Sequence, residues 1–373
     1  TRQIPGYAYG RLDNPTVVAF AAAVAELEGA EAGFAFATGM AAIHAALGTL
    51  LSSGDRIVAT RASYGTTRAL LDGVFRRLGV ASEYVDVTDL GAVEAALAAR
   101  PTRILYAETI ANPTIVVADH AALAELAHRH GASYVVDNTF ASPYLCRPIE
   151  LGADLVIESA TKYLSGHSDV MAGVVSGPVG LINRIRDFEV DTGASLDPHA
   201  AFLAMRGLST LALRMERHSA TAAALAAWLE RQDGVSRVWH PALTSHPQRE
   251  VASHQLALGG GMLAFELAGG RAVGGAFIDA LEIPARTASL GSVFSIVTHP
   301  PSTTHRQLDD AALAAAGITS GLLRCSVGLE DLEDLVADFG HALEAARAAT
   351  TGQPAIAQAT EATVGTSIEP TPV

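Results

Sequence analysis

From residue 30 to residue 177, short apolar runs bounded by turn residues alternate with longer stretches whose apolar positions recur at helical spacing. Arg56–Thr60, residues 103–107 and Ser133–Asp137 have the first pattern, and residues 121–127 the second. The alternation predicts a mainly parallel sheet with helices on both faces. Tyr134, Val135 and Val136 form an unbroken apolar run, expected of a buried parallel strand whose carboxyl end faces a ligand crevice. A helical stretch over residues 198–231, broken near Gly207, then carries the chain to a second region. There Met262–Leu267 and residues 322–327 predict strands, and residues 331–349 a closing helix. From residue 350 threonine, alanine and proline dominate without apolar periodicity, so residues 350–373 are expected to form a disordered or loosely docked tail.

Length and charge narrow the class. A chain of 373 residues can bury two substantial cores. A net charge of −14 disfavours nucleic acid and anionic membranes as partners. Two cysteines, Cys146 and Cys325, without close spacing argue against a disulfide framework or a zinc site and for buried thiols in a reducing compartment. No secretory leader and no uninterrupted apolar span of membrane length is seen, which makes the cytoplasm the expected location.

Candidate chemistry sits at the ends of the predicted strands. The segment from Glu158 to Asp169 sets Lys162 among small hydroxyl residues, soon after the strand that ends in Asp137. A pyridoxal phosphate site needs a lysine to hold the cofactor as a Schiff base, an anion to keep the pyridine nitrogen protonated, and donors for a phosphate. Lys162, Asp137, and Ser159 with Thr161 suit those needs. Upstream, Thr38 and Gly39 open an alanine-rich helical run whose free N–H groups would receive a phosphate, or Thr38 is simply a helix cap. Tyr64, following the strand Arg56–Thr60, could lie flat on a planar ring. Other motifs carry less. Gly259, Gly260 and Gly261 suit a tight turn into a strand, since no strand-to-helix switch follows. His128 and His130 stand two apart on a helix and do not share a face, so no metal site is expected there. His167 is expected to belong to the loop that positions Lys162.

Assembled in this order, these segments resemble the transsulfuration, or Cys/Met metabolism, family of pyridoxal phosphate enzymes. The resemblance runs from Tyr9 to about Asp334. It rests on Tyr9-Gly10-Arg11, Thr38-Gly39-Met40, Tyr64-Gly65, the run from Glu108 to Pro113, Asp137-Asn138-Thr139, the Lys162 segment, Ser289-Leu290-Gly291, Thr304-His305 and Leu323-Arg324-Cys325-Ser326. It implies an α/β protein of aminotransferase fold type I, with a mainly parallel central sheet and a smaller C-terminal α+β domain. The expected divisions are an arm over residues 1–29 that reaches a neighbouring subunit, a cofactor domain over 30–200, and a C-terminal domain over 201–349.

The resemblance also implies roles. Lys162 would bind the cofactor and shuttle protons, Asp137 would pair with the pyridine nitrogen, and Tyr64 would stack on the ring and serve the leaving group. Gly39 and Met40, through their backbone, and Ser159 and Thr161, through their hydroxyls, would hold the phosphate. Tyr9 and Arg11 would add to it from a neighbouring subunit, which implies at least a homodimer; in relatives the arm helps hold a tetramer. Asn112 would lie beside the phenolic oxygen, and Arg324 with Ser289 would clamp the α-carboxylate of a small amino-acid substrate. Relatives carry several tens of residues before Tyr-x-Arg, so a processed or truncated start is expected here.

Departures from the family pattern narrow the substrate. Ala8 and Ala288 stand where cystathionine-using members often have glutamates that sense the distal amino group. Thr66 replaces the usual cysteine of methionine-cleaving members. Phe294 replaces a common glutamate, and Glu158 a common histidine. The expected pocket takes a small or apolar γ-substituent. The expected activity is α,γ-elimination on a methionine-like, homocysteine-like or specialised γ-substituted amino acid. γ-Replacement on an activated homoserine is the alternative, and a silent cofactor-binding partner protein is the non-enzyme alternative.

Overall fold

In a computed structural model the described residues are 6–303 and 317–351. The Thr304-His305 match and the tail from residue 352 lie outside them. The larger sheet contains β1 (Ala32–Phe36), β2 (Arg56–Thr60), β3 (Ala81–Val85), β4 (Ile104–Glu108), β5 (Ser133–Asp137), β6 (Leu155–Glu158) and β7 (Gly173–Gly177). Its spatial order is β1-β7-β6-β5-β4-β2-β3. All pairings from β6 through β5, β4 and β2 to β3 are parallel, whereas β7 runs antiparallel to both its neighbours. The mainly parallel sheet is therefore present, with one reversed strand, β7, set between the edge strand β1 and the rest.

Burial on both faces explains the apolar strands. Ile57, Ile104, Tyr106 and Val135 pack into one core, while Val58, Leu105, Tyr134 and Val136 pack into another on the opposite face. Each such side chain contributes roughly 1.5–3 kcal/mol when fully buried. The second sheet contains β8 (Val235–Trp239), β9 (Met262–Leu267), β10 (Ile296–Thr298) and β11 (Leu322–Ser326). It is antiparallel throughout, in the order β10-β11-β9-β8, and packs with Phe277 and Phe339 from the helices Gly270–Ala280 and Leu332–Thr351. The expected strands at Met262–Leu267 and 322–327 and the closing helix appear within a residue or two.

The N-terminal segment differs from a free arm over most of its length. Pro15–Glu28 forms a helix capped by the Asn14 side chain, and its Phe20 and Val24 are wholly buried against the body of the same chain. Only the stretch before Pro15 stands apart. There Arg186 holds Asp13 through two hydrogen bonds of 2.5 and 3.3 Å, anchoring the turn that presents Tyr9 and Arg11.

Candidate active site

Parallel strands β2, β4, β5 and β6 all end on one side of the sheet, and the loops that leave them gather the candidate residues. Tyr64 follows β2, Asn112 follows β4, Asp137 closes β5, and Ser159 to Lys162 follow β6. The half-buried Asp137 accepts from the Thr139 N–H at 3.0 Å and the Tyr106 hydroxyl at 3.4 Å. It has no ion-pair partner among the described residues, and burial raises its pKa. Its register neighbour Glu108 accepts from the backbone N–H of Tyr64 at 2.5 Å and of Asn112 at 3.4 Å. Burial, then the Asp137 charge, also lifts Glu108 well above the usual carboxylate range. Glu108 thus ties together the loops carrying Tyr64 and Asn112, a role that sequence reasoning missed. The available signal was an acid closing an apolar strand, the same feature that marked Asp137.

Lys162 lies on a tight turn in which its N–H donates to Ser159 and its carbonyl accepts from Gly166. The following loop is held from beneath by the buried Arg214. Its guanidinium donates to the carbonyls of Tyr163 at 2.7 Å, Leu164 at 3.3 Å and Gly207 at 2.9 Å, and to the Thr210 hydroxyl at 3.1 Å. Burial lowers the pKa of Arg214 to about 10. A Cβ on Gly207 would come within 2.3 Å of the Ser165 carbonyl oxygen, so the break between helices Pro198–Leu208 and Leu211–Leu229 lies where the lysine loop passes. Lys162 Nζ donates to Ser289 Oγ at 2.8 Å. Burial, aided by the nearby Arg324 charge, lowers the amine's pKa to about 8. Among 25 basic residues this is the single lysine of the sequence.

The helix Gly39–Leu50 starts beside this turn. Thr38 caps it, accepting from the Ala41 N–H at 3.0 Å, and the first backbone bond within it runs from Ala42 to Thr38. The N–H groups of Gly39 and Met40 precede that bond. A Cβ on Gly39 would sit 2.7 Å from Ser159 Cβ and Oγ, so glycine keeps the helix start and the Ser159 hydroxyl in one cradle. Thr161 differs. Its hydroxyl donates to the Ala172 carbonyl at 3.2 Å and accepts from the Ala172 N–H at 3.0 Å, because the chain entering β7 runs alongside it.

Arg324, on β11, reaches the same place from the second sheet. It is 5% exposed and donates to Asn112 Oδ1 at 2.9 Å, the Ser289 carbonyl at 2.6 Å and the Thr298 hydroxyl at 3.4 Å. Its Nε has no hydrogen-bond partner, and no carboxylate among the described residues pairs with it. Burial lowers its pKa to about 10. A cation so desolvated calls for an anion. Tyr64 is 42% exposed, close enough for its phenol to influence the Arg324 charge. Tyr9 and Arg11 are held apart from this group: the Arg11 side chain covers the exposed Tyr9 ring and donates to the Val190 carbonyl.

Beside Ser289 and Thr161 lies a cavity of about 470 Å³, walled by Met171, Thr287, Ala288, Phe294 and Ile296, with one carboxylate, Asp169. The wall is mostly apolar, and Asp169 adds an acid that the sequence pattern did not single out.

The sequence profile of the family described as Cys/Met metabolism PLP-dependent enzyme matches residues 1–344, and the chain belongs to that family. It is 48% identical over 342 residues to an L-methionine gamma-lyase of Pseudomonas putida, covering 91% of this chain and 86% of that protein. An O-succinylhomoserine sulfhydrylase of Pseudomonas aeruginosa is 44% identical, covering 92% of this chain and 85% of that protein. The crystal structure of cystathionine gamma synthase from Xanthomonas oryzae pv. oryzae in complex with cystathionine superposes with a TM-score of 0.90 at 39% identity, over 93% of this chain and 89% of that one.

The protein is accordingly a pyridoxal phosphate enzyme acting on small amino acids. The residues present fit the cofactor: an acid without a cation at Asp137, a glycine cradle beside Ser159, and a lysine whose amine loses its proton readily. Among the described residues no helix is long and apolar enough to cross a membrane, and no cluster suits a metal ion.

Proposed function

We propose that the protein is a lyase that eliminates a γ-substituent from a methionine-like or homocysteine-like amino acid. With methionine and water the products would be methanethiol, 2-oxobutanoate and ammonia. The observation that carries this reading is the buried, counter-ion-free Arg324 beside Lys162 and a largely apolar cavity. An amino acid offers that guanidinium its α-carboxylate and the cavity its side chain.

The cofactor supplies a carbonyl that captures the substrate amine and a protonated ring that withdraws electrons. Asp137 would hold the proton on the ring nitrogen. The N–H groups of Gly39 and Met40 and the Ser159 hydroxyl would hold the phosphate, with Thr161 joining them if its hydroxyl leaves Ala172. Tyr9 and Arg11 serve the phosphate of a neighbouring subunit, which is why the turn bearing them is exposed and anchored from below by Arg186. The functional unit is a homo-oligomer with shared sites. Its two buried free thiols suit the cytoplasm.

Arg324, Asn112 and Ser289 orient the substrate. Lys162 Nζ, once released from the cofactor, would take the Cα proton, hand it on to the cofactor, and as a free amine again take a proton at Cβ; its lowered pKa makes the neutral form more available than in an ordinary lysine. Tyr64 would stack on the cofactor ring and supply a proton to the departing γ group. Replacement at the γ carbon uses the same residues, and the sulfhydrylase and synthase relatives favour that second reading.

The deciding experiment adds methionine, homocysteine, cystathionine and O-acetylhomoserine to purified protein, following the visible spectrum and 2-oxo acid release. Oxo acid from methionine or homocysteine establishes the lyase. A spectral response with product only when a thiol is added establishes the replacement enzyme. A colourless protein unresponsive to added cofactor overturns the site.

A further inference from the structure

A second pair of acids lies behind the strand ends. Glu158 closes β6 and Glu28 closes the helix Pro15–Glu28; they are 2% and 0% exposed. Each has one buried oxygen, Glu28 Oε2 and Glu158 Oε1, that no protein donor reaches. The two side chains are within hydrogen-bonding reach of each other. An ionised carboxylate can only accept, so two charged ones in contact would repel and leave both oxygens unsatisfied. One proton between them removes both difficulties.

Among the described residues the surroundings supply hydrogen bonds but no ion pair. Asn138 Nδ2 donates to Glu28 Oε1 at 3.1 Å and to the Cys146 carbonyl at 3.0 Å. Asn138 Oδ1 accepts from the Thr109 hydroxyl at 2.7 Å, which in turn lies 3.0 Å from His120 Nε2. Burial keeps His120 neutral, lowering its pKa to about 3. From the segment after the short helix Ser142–Leu145 come the Cys146 thiol, Arg147, whose charge favours ionised Glu28, and Glu150, whose charge opposes it. From β5 comes Asp137, which opposes ionisation of Glu158. Burial outweighs the one cation and raises both acids, Glu28 to about 7 and Glu158 well above the ordinary range.

We infer that Glu28 and Glu158 share a proton in the native protein and act as positioning residues for the cofactor floor. The pair holds Asn138, the residue after Asp137, and Glu158 itself precedes Ser159. Ser159 of the phosphate cradle is one peptide from Glu158, and the ring-nitrogen acid Asp137 is one peptide from Asn138, which bonds Glu28. The positioning role rests on the assignment of Asp137 and Ser159 proposed above; the shared proton does not.

The sign of the pH effect follows from the raised pKa values. The native pair keeps a proton that both glutamates in the unfolded chain lose, so its contribution to stability is full below the usual glutamate range, begins to fall as pH rises through about 7, and is lost at the higher pH where Glu158 ionises. Cofactor retention should fall with it.

The test compares holoenzyme of the wild type, Glu158→Gln and Glu28→Gln from neutral to alkaline pH. Cofactor retained after gel filtration, melting temperature and the infrared stretch of protonated carboxyl groups are read together. Retention and melting temperature should decline with pH in the wild type and stay flat in both glutamine variants, where an amide N–H replaces the proton. In the difference spectrum of wild type minus each variant, which removes the bands of Glu108 and Asp137, a buried-acid band should be present and should disappear on raising the pH. Parallel pH curves in wild type and variants, or no such band in the difference spectrum, would overturn the inference. A Ser159→Ala control separates the two ideas: unchanged retention there would sink the phosphate assignment, while the infrared band would still report the shared proton.

Discussion

The floor of the site and its substrate-facing wall are built on different terms. On the floor, Arg214 bonds two consecutive carbonyls of the Lys162 loop and one at the helix break, and Asp137 accepts two fixed donors. On the wall, Met171 and Phe294 are 66% and 39% exposed, and Tyr64 is 42% exposed. Geometry on the floor is over-determined, so it suits a step common to all substrates. The wall is loosely held, so its shape can change without disturbing the floor. Such a division fits relatives named for a lyase and for a sulfhydrylase at 48% and 44% identity.

The sharpest way to break this contrast is to remove the centre of the floor. Lys162→Ala should abolish the visible absorbance of bound cofactor and turnover of every amino acid; turnover near the wild-type rate would refute the mechanism. Next in size is Arg324→Met. Each charged hydrogen bond lost should cost about 1.5–3 kcal/mol, or roughly 10- to 150-fold in kcat/KM. The loss should be shared by all amino-acid substrates, and a defect confined to one of them would place Arg324 on the wall instead.

A smaller effect concerns protons. Because burial and Arg324 depress the Lys162 pKa from its ordinary value, the neutral amine should become the majority form as pH rises through about 8. Cofactor uptake by the apo protein, timed by stopped-flow absorbance, should accelerate with pH up to that point and then level. In Arg324→Met the midpoint should move upward, since a neighbouring cation is gone; an unmoved midpoint would leave burial as the sole cause. Smallest is a change on the wall. Glutamates at Ala8 and Ala288 should raise the cystathionine-to-methionine activity ratio, by up to about fivefold for a pair worth roughly 1 kcal/mol. An unchanged ratio would mean that these positions do not read the distal amine.

What was legible in the sequence divides along similar lines. Asp137 at the end of β5, the Lys162 turn and the glycine at the helix start are local features, set within a few residues, and the structure brings them to one crevice. The helix break near Gly207 was visible too, but its reason, passage of the Ser165 carbonyl within 2.3 Å of a would-be Cβ, is a tertiary contact. Contacts between distant segments were harder to foresee. Arg324 meets Asn112 across 212 residues and Lys162 meets Ser289 across 127, and no periodicity encodes either bond. Glu108 and Arg214 escaped notice because their task is to hold other people's backbones. The Thr161 hydroxyl faces Ala172 because β7 reverses against β6, and strand direction at that edge is not written in an apolar run. Family resemblance groups the helix Pro15–Glu28 with the arm, whereas Phe20 and Val24, four residues apart on one helical face, tie it to the body of the chain.

A chain with one lysine, half-buried in a crevice, has unusual reagent chemistry. Side-chain amines are where aldehydes, active esters and many cross-linkers attack, and most proteins scatter them over the surface. Here arginines carry the remaining positive charge and are inert to those reagents. A lysine-selective label therefore counts working sites directly, and its loss on adding cofactor would measure occupancy without any substrate. The same economy leaves free cofactor aldehyde no competing lysine on the protein that needs it.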